Sequence, residues 1–149
     1  MKYISVSVYL LLFVANHFVS SQSLTCTCQL DSTGMTMICD NIQTIFAYQR
    51  CLHDQLNLQT DYKLRRGGLI TNLTLRYHQL QSVSKHLFEF SYGNHFYQLN
   101  DLRYLRIING TLQTIQEKTF DLIQNSLEHL DLSNNELESV PKFSMNNLM

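Results

Sequence analysis

The sequence has few of the residues that mark flexible or fibrous chains: only 5 of its 149 residues are glycine and only 1 is proline. This scarcity excludes a linker-rich or collagen-like chain. An excess of charge is also missing, because 11 Lys and Arg face 12 Asp and Glu. No net field therefore attracts nucleic acid or anionic lipid. Beyond the amino-terminal segment no stretch is apolar enough to cross a bilayer, and the carboxyl end has no hydrophobic tail for a lipid anchor.

The amino terminus has the composition of a secretory signal peptide over residues 1–21. A single lysine precedes a mostly apolar run over residues 4–19. The small residues Val19 and Ser21 suit the positions before a cleavage site, which predicts cleavage before Gln22. A retained signal anchor is disfavoured because polar residues interrupt the run well short of the ~20 residues that a span needs. We expect a secreted chain that is long enough to form a single domain.

Leucines recur at fixed spacings in the segment 127–137, LEHLDLSNNEL. Leu130 and Leu132 alternate with Asp131, as in a short strand that buries one side. The amide of Asn135 can then bond backbone groups where the chain leaves the strand. The segment matches the leucine-rich repeat pattern L-x-x-L-x-L-x-x-N-x-L at every position.

The pattern recurs in three coils that start at residues 70, 102 and 127, and so lie 32 and 25 residues apart. Apolar residues occupy the same offsets in each coil: Ile70, Leu73, Leu75, Leu80 and Val83; Leu102, Leu105, Ile107, Leu112 and Ile115; Leu127, Leu130, Leu132, Leu137 and Val140. A large apolar residue follows 18 positions after each start: Phe88, Phe120 and Met145. The first spacing exceeds the usual range of roughly 20–29 residues. We place the excess in residues 92–98, predicted as a loop on the convex or lateral side.

The chain thus resembles the animal-type extracellular leucine-rich repeat proteins, which include receptor ectodomains, adhesion and axon-guidance proteins and small matrix proteoglycans. The resemblance implies an α/β solenoid: a right-handed superhelix with a parallel sheet on its concave side. It divides the chain into a signal peptide (1–21), a Cys-rich cap with a degenerate first coil (22–69) and three repeats (70–149). The degenerate coil is counted from Ser32 through apolar residues at the shared offsets: Met35, Met37, Ile42 and Ile45.

The four cysteines lie between positions 26 and 51, ahead of the clear repeats, and resemble the disulfide-bonded amino-terminal cap of that family. Cysteines one residue apart rarely bridge each other, so the favoured pairing is Cys26–Cys39 with Cys28–Cys51. Two other pairings stay open, because Thr27 replaces the proline of the family cap and Cys51 lies late. A zinc site is the alternative, and an oxidising compartment disfavours it.

The predicted concave face consists of the residues that alternate with the buried leucines: Asn72, Thr74, Arg76, Tyr104, Arg106, Ile108, His129, Asp131 and Ser133. Equivalent positions stack about 4.8 Å apart in a parallel sheet. Arg106 is therefore expected beside Asp131, and Tyr104 beside His129. Tyr and Arg are typical interface anchors, so the candidate binding residues are Arg76, Tyr104 and Arg106 with these two neighbours. A solvated face with no binding role is the alternative.

Two glycosylation sequons begin at Asn72 and Asn109. His78 stands where Asn135 stands in the last coil, which predicts a turn-capping role. No nucleophile elbow, phosphate-binding glycine loop or metalloprotease motif is present. We therefore expect a protein that is not an enzyme and that uses no cofactor or metal.

The sequence favours a secreted or cell-surface module that binds an extracellular protein, a ligand or receptor, through its concave face in adhesion, signalling or recognition. A structural matrix protein that binds collagen or glycan is the alternative. The apolar residues of the last coil, which extend to Met145 and Leu148, have no polar or disulfide-bonded cap after them. This favours a fragment of a longer protein, with self-association through the carboxyl-terminal edge as the alternative.

Overall fold

The computed structural model describes residues 26–139 and is organised around a five-stranded sheet. Its strands follow one another in space in the order of the sequence. They are β1 (Thr27–Leu30), β2 (Thr36–Asp40), β3 (Asn72–Arg76), β7 (Tyr104–Ile108) and β9 (His129–Asp131). The pair β1–β2 is antiparallel, and the other three pairs are parallel.

Alternating side chains place one side of the parallel strands in the core. Leu73 lies opposite Met37 in β2 and opposite Leu105 in β7, and Leu105 lies opposite Leu130 in β9. The first three of these four residues have no exposed surface. Each fully buried side chain of this size contributes roughly 2 kcal/mol of transfer free energy. The row therefore joins neighbouring strands through side chains as well as through backbone hydrogen bonds.

A left-handed turn recurs at one position relative to this buried row. Four non-glycine residues have φ angles of 53° to 58°, and each lies four positions after a member of the row: Asn41, Tyr77, Asn109 and Asn134. Asparagine tolerates this conformation better than most residues do, because its short polar side chain can bond locally. Beyond the turns, β4 (Ser82–Val83) and β8 (Thr114–Ile115) form a second, two-stranded parallel sheet, and a 3₁₀ turn follows at Lys85–Leu87.

Between β2 and β3 the chain forms helix α1 (Ile45–Asn57) and a short helix, α2 (Tyr62–Arg65). Thr44 caps α1, because its side chain accepts a hydrogen bond from the backbone N–H of Ala47. The helix buries four side chains: Tyr48, Cys51, Leu52 and Leu56. The repeat pattern assigns Ile45 the same offset as Val83, which lies in β4, but Ile45 begins α1 instead.

The predicted frame of the first coil is also wrong, by two residues. It aligns Met35 with Leu73, whereas the structure pairs Met37 with Leu73 and Cys39 with Leu75. Met35 is 46% exposed, and Cys39 has no exposed surface. The physical reason is that a disulfide-bonded cysteine fills the second core position of this strand, where the leucine pattern gives no signal.

Residues 92–98, predicted as a loop, form the end of one strand, a tight turn and a second strand. The antiparallel hairpin consists of β5 (Glu89–Tyr92) and β6 (His95–Gln98). Gly93, with φ of 58°, supplies the positive angle that a two-residue turn favours. Phe90 and Tyr97 stack across the hairpin with ring centroids 5.0 Å apart, and both are buried. The stacked and buried rings of Phe90 and Tyr97 thus give the hairpin a packed aromatic contact of its own.

The four cysteines form two disulfides, Cys28–Cys39 and Cys26–Cys51, so the favoured pairing is wrong. Cys28 and Cys39 are direct partners in the β1–β2 register, with Cα atoms 4.0 Å apart. Cys26 lies just before β1 and reaches Cys51 on α1. Two disulfides indicate an oxidising, extracellular environment.

Within residues 26–139, no helix has the length and apolar character needed to span a membrane. The predicted signal peptide lies outside the described residues. So do three apolar residues assigned to the last coil, Val140, Met145 and Leu148.

Candidate functional site

The outward side chains of β2, β3, β7 and β9 form one solvent-facing surface, here called the sheet face. It contains the five candidate binding residues named from the sequence. Tyr104 and His129 are register partners on β7 and β9, and their rings stack with centroids 4.8 Å apart and planes within 10°. Both residues are exposed. The predicted neighbours are therefore adjacent, and their stacked rings are accessible to solvent.

Arg106 and Asp131 occupy the next outward positions on the same two strands. Arg106 Nε lies 3.3 Å from a carboxylate oxygen of Asp131, which confirms the expected adjacency. Hydrogen bonds from Ser133, with a smaller contribution from Arg106, lower the pKa of Asp131 below its usual range. The carboxylate of Asp131 is therefore ionised at neutral pH and lies beside the guanidinium of Arg106.

Arg76 is held by a residue that the sequence frame did not place beside it. Its Nε and Nη2 donate to the two carboxylate oxygens of Asp40 over 2.6 and 2.7 Å. This hydrogen-bonded carboxylate raises the pKa of Arg76. Asp40 lies opposite Arg76 in the β2–β3 register, a relation hidden by the two-residue error in the predicted frame. Arg76 is thus less available to a partner than its exposure suggests.

Ile108 does not contribute exposed surface, although the alternation predicted that it points outward. It is 7% exposed, and Arg76 lies directly beside it in the register. Long charged side chains cover neighbouring apolar surface while keeping their heads in water. The exposed part of the sheet face is therefore concentrated at the aromatic pair and at the Arg106–Asp131 pair.

The two sequon asparagines lie in different settings. Asn72 is in β3, where its Nδ2 donates to Thr36 Oγ1 over 3.4 Å and its buried Oδ1 has no partner among the described residues. Asn109 is in a left-handed turn, where its Oδ1 accepts from Asn134 Nδ2 over 2.8 Å. A glycan on Asn72 would rise from the sheet face beside Tyr104, its register partner. Glycosylation of both residues stays a prediction.

Asn135 bonds backbone groups as expected. Its Nδ2 donates to the carbonyls of Ile107 and Leu132 over 2.6 and 2.9 Å, and its Oδ1 accepts from Leu112 N–H over 3.3 Å. The amide therefore ties the turn after β9 to the strand before it in space.

His78 does not take the predicted capping role. It is 2% exposed, and neither ring nitrogen has a hydrogen-bond partner of normal geometry among the described residues. Burial lowers the pKa of His78, and the nearby amide of Asn135 offsets part of this effect. A Cβ added at Gly110 would overlap the imidazole ring, so the His78 ring occupies the space that a side chain at position 110 would need.

Sequence reasoning missed a group of side chains where α1 meets the hairpin. The Nδ1 of His53 and the hydroxyl of Tyr97 share a hydrogen bond, and the His53 ring lies 4.8 Å from Tyr92 and 5.4 Å from His95. His53 lies 39 to 44 positions before the other three residues, and no repeated spacing relates them. Only recognition of helix α1 in the sequence could have located the group. In the described part of the chain, no three His, Cys, Asp or Glu side chains are grouped to hold a metal ion.

The sheet face thus combines an exposed aromatic pair with charged donors and acceptors on the same two strands. Aromatic residues and arginine are enriched at protein interfaces. Comparisons with family models, with curated proteins and with solved structures found no match.

Proposed function

We propose that the chain is a secreted or cell-surface leucine-rich repeat module that binds another protein through the sheet face. Three features support the solenoid part of the proposal. The strands β2, β3, β7 and β9 are parallel and aligned at one buried row, a left-handed turn follows at a constant distance, and Asn135 bonds backbone groups after its strand. The two disulfides support an extracellular location.

The observation that carries the binding proposal is the grouping of Tyr104, His129, Arg106 and Asp131 on two neighbouring strands, where two aromatic rings stack beside an ion pair. Contacts among these side chains in the free protein reduce the conformational entropy that a partner must remove when it covers them. Truncation of a buried aromatic or arginine anchor in an interface typically costs 2 kcal/mol or more. We therefore expect removal of the Tyr104 ring to weaken binding by about 30-fold or more.

Charge on the sheet face favours a protein over a sulfated glycan. Arg76 is paired with Asp40, and Arg106 is paired with Asp131. Each arginine therefore has its own carboxylate, and the face presents no continuous basic patch for a polyanion.

The test is affinity capture from extracellular extract with residues 22–149, in parallel with two variants. Tyr104→Ala alters the sheet face, and Glu117→Ala alters an exposed residue outside the main sheet. Circular dichroism first establishes that both variants fold as the parent does. We expect the parent and Glu117→Ala to retain one receptor-type protein that Tyr104→Ala loses. Retention of fibrillar matrix components instead, or equal retention by all three chains, would contradict the proposal.

A further inference from the structure

A groove runs along the edge of the main sheet where its parallel strands begin. It consists of two adjoining cavities of about 710 and 570 Å³, and Leu69 and Asp101 line both. The larger cavity passes the residues that precede β2, β3, β7 and β9, and the smaller one extends to α2 and β6. We call this surface the strand-start groove. It does not include Tyr104, Arg106 or any other residue of the sheet face.

Exposed apolar side chains are concentrated in this groove. Met35, Leu69, Tyr62 and Phe96 are 46%, 39%, 69% and 44% exposed. They make up half of the eight large apolar side chains that are exposed in the described part of the chain. Single exposed apolar residues are ordinary on protein surfaces, but a contiguous group that lines a concavity indicates a binding site.

Unpaired positive charge lies at the α2 end of the groove. Lys63 and Arg66 line it together with one acidic residue, Asp101, so its net charge is positive, and neither cation forms an ion pair with any described residue. The guanidinium of Arg66 is fixed, because it lies 5.5 Å from the centre of the Tyr62 ring and its Nη1 donates to the Phe96 carbonyl over 2.9 Å. Its Nε is buried, so a ligand would meet the outer part of the guanidinium. No described carboxylate pairs with this guanidinium, whereas Arg76 has Asp40, so an acidic group is the complement that Arg66 lacks.

The backbone along the groove is already hydrogen-bonded. The N–H groups of Thr71 and Asn72 donate to the Met35 carbonyl, and those of Arg103 and Tyr104 donate to the Thr71 carbonyl. The edge at the strand starts therefore offers no row of free donors and acceptors to an added strand. A ligand must be recognised by side chains.

The length of the groove fits a short extended peptide. Four neighbouring strand starts span about 14 Å at a strand spacing of about 4.8 Å. An extended chain rises about 3.3 Å per residue, so roughly four residues cover this distance, and the smaller cavity accommodates a few more.

We propose that the strand-start groove binds an extended acidic segment of another protein. The apolar side chains of the segment contact Met35, Leu69 and Phe96, and its carboxylates face Lys63 and Arg66. This site is separate from the sheet face, so failure of one proposal would not contradict the other.

The test uses two fluorescein-labelled octapeptide libraries, random at every position except a central Glu-Glu or Lys-Lys pair. Fluorescence anisotropy with residues 22–149 measures the mean affinity of each library, and the ¹³C-methyl NMR signal of Met35 reports whether the groove is occupied. We expect the Glu-Glu library to bind more tightly, to shift the Met35 signal and to weaken as salt is raised.

Two matched charge reversals complete the test. Lys63→Glu should weaken binding of the Glu-Glu library about tenfold, whereas Lys85→Glu, at an exposed lysine outside the groove, should leave it unchanged. Tyr104→Ala should also leave it unchanged, which separates this site from the sheet face. Equal affinity for the two libraries, no binding of either, or an unaltered affinity in Lys63→Glu would overturn the proposal. Displacement of the peptides from the groove by a heparin oligosaccharide that binds more tightly would assign the site to glycan instead.

Discussion

The contact between Gly110 and His78 predicts a strong and specific energetic coupling. These residues lie five positions after Leu105 and Leu73, which are partners in the strand register. A Cβ at Gly110 would overlap the imidazole, and His78 is 2% exposed, so the ring has little free space into which to move. Overpacking of this kind typically costs 1–3 kcal/mol. We therefore expect Gly110→Ala to lower the free energy of unfolding by about 2 kcal/mol.

The same substitution should be nearly harmless once the imidazole is removed. In a His78→Ala background the added methyl group meets no ring, and we expect its cost to fall below about 0.5 kcal/mol. Urea denaturation followed by circular dichroism gives the four free energies of the double-mutant cycle. Gly68→Ala serves as a control, because the nearest heavy atom to its added Cβ is 3.6 Å away. An equal cost of Gly110→Ala in both backgrounds would refute the packing relation.

Three further predictions concern pH, a buried hydroxyl and a strained turn. Burial lowers the pKa of His78, so the unfolded chain binds a proton on this residue more readily than the folded chain does. The free energy of unfolding should therefore be highest above about pH 6.5 and should fall as the pH drops below that value. Unfolding experiments from pH 7 to pH 5 should show a weaker pH dependence for His78→Asn. Tyr48 is fully buried and donates to the Leu87 carbonyl over 3.0 Å, so Tyr48→Phe should lower the free energy of unfolding by about 1 kcal/mol in urea titrations. Tyr77 has φ of 53°, and Tyr77→Asn should raise the melting temperature by relieving about 1 kcal/mol of backbone strain; an unchanged or lower value would contradict this.

The parts of the molecule that the sequence predicted correctly depend on constant spacing. Tyr104 and His129 occupy the same offset in successive repeats, as do Arg106 and Asp131. A parallel sheet turns equal offsets into lateral neighbours, so their adjacency follows once two strands are aligned at their leucines. The same logic placed Asn135 at a turn.

The parts that could not be predicted depend on contacts with no fixed spacing. Cys39 fills a core position that leucine takes in the later strands, so the leucine pattern aligns β2 with β3 two residues out of register. The same error hides the pairing of Asp40 with Arg76. The Cys26–Cys51 bridge depends on where α1 packs, which local sequence does not specify. The helix itself left a signal, because a capping threonine precedes apolar residues at helical spacing. The repeat pattern concealed it by including Ile45.

A charge exchange on the sheet face tests the binding proposal most directly. The double variant Arg106→Asp with Asp131→Arg keeps an ion pair between β7 and β9 but reverses the pattern of charge that a partner meets. The measurement is the affinity of this variant and of the parent for the protein captured by residues 22–149, with the melting temperature of each. We expect a loss of affinity of at least tenfold. The melting temperature should fall by only a few degrees, because Asp131→Arg also removes the carboxylate that accepts the Ser133 N–H. Unchanged affinity in the correctly folded variant would show that the partner binds elsewhere.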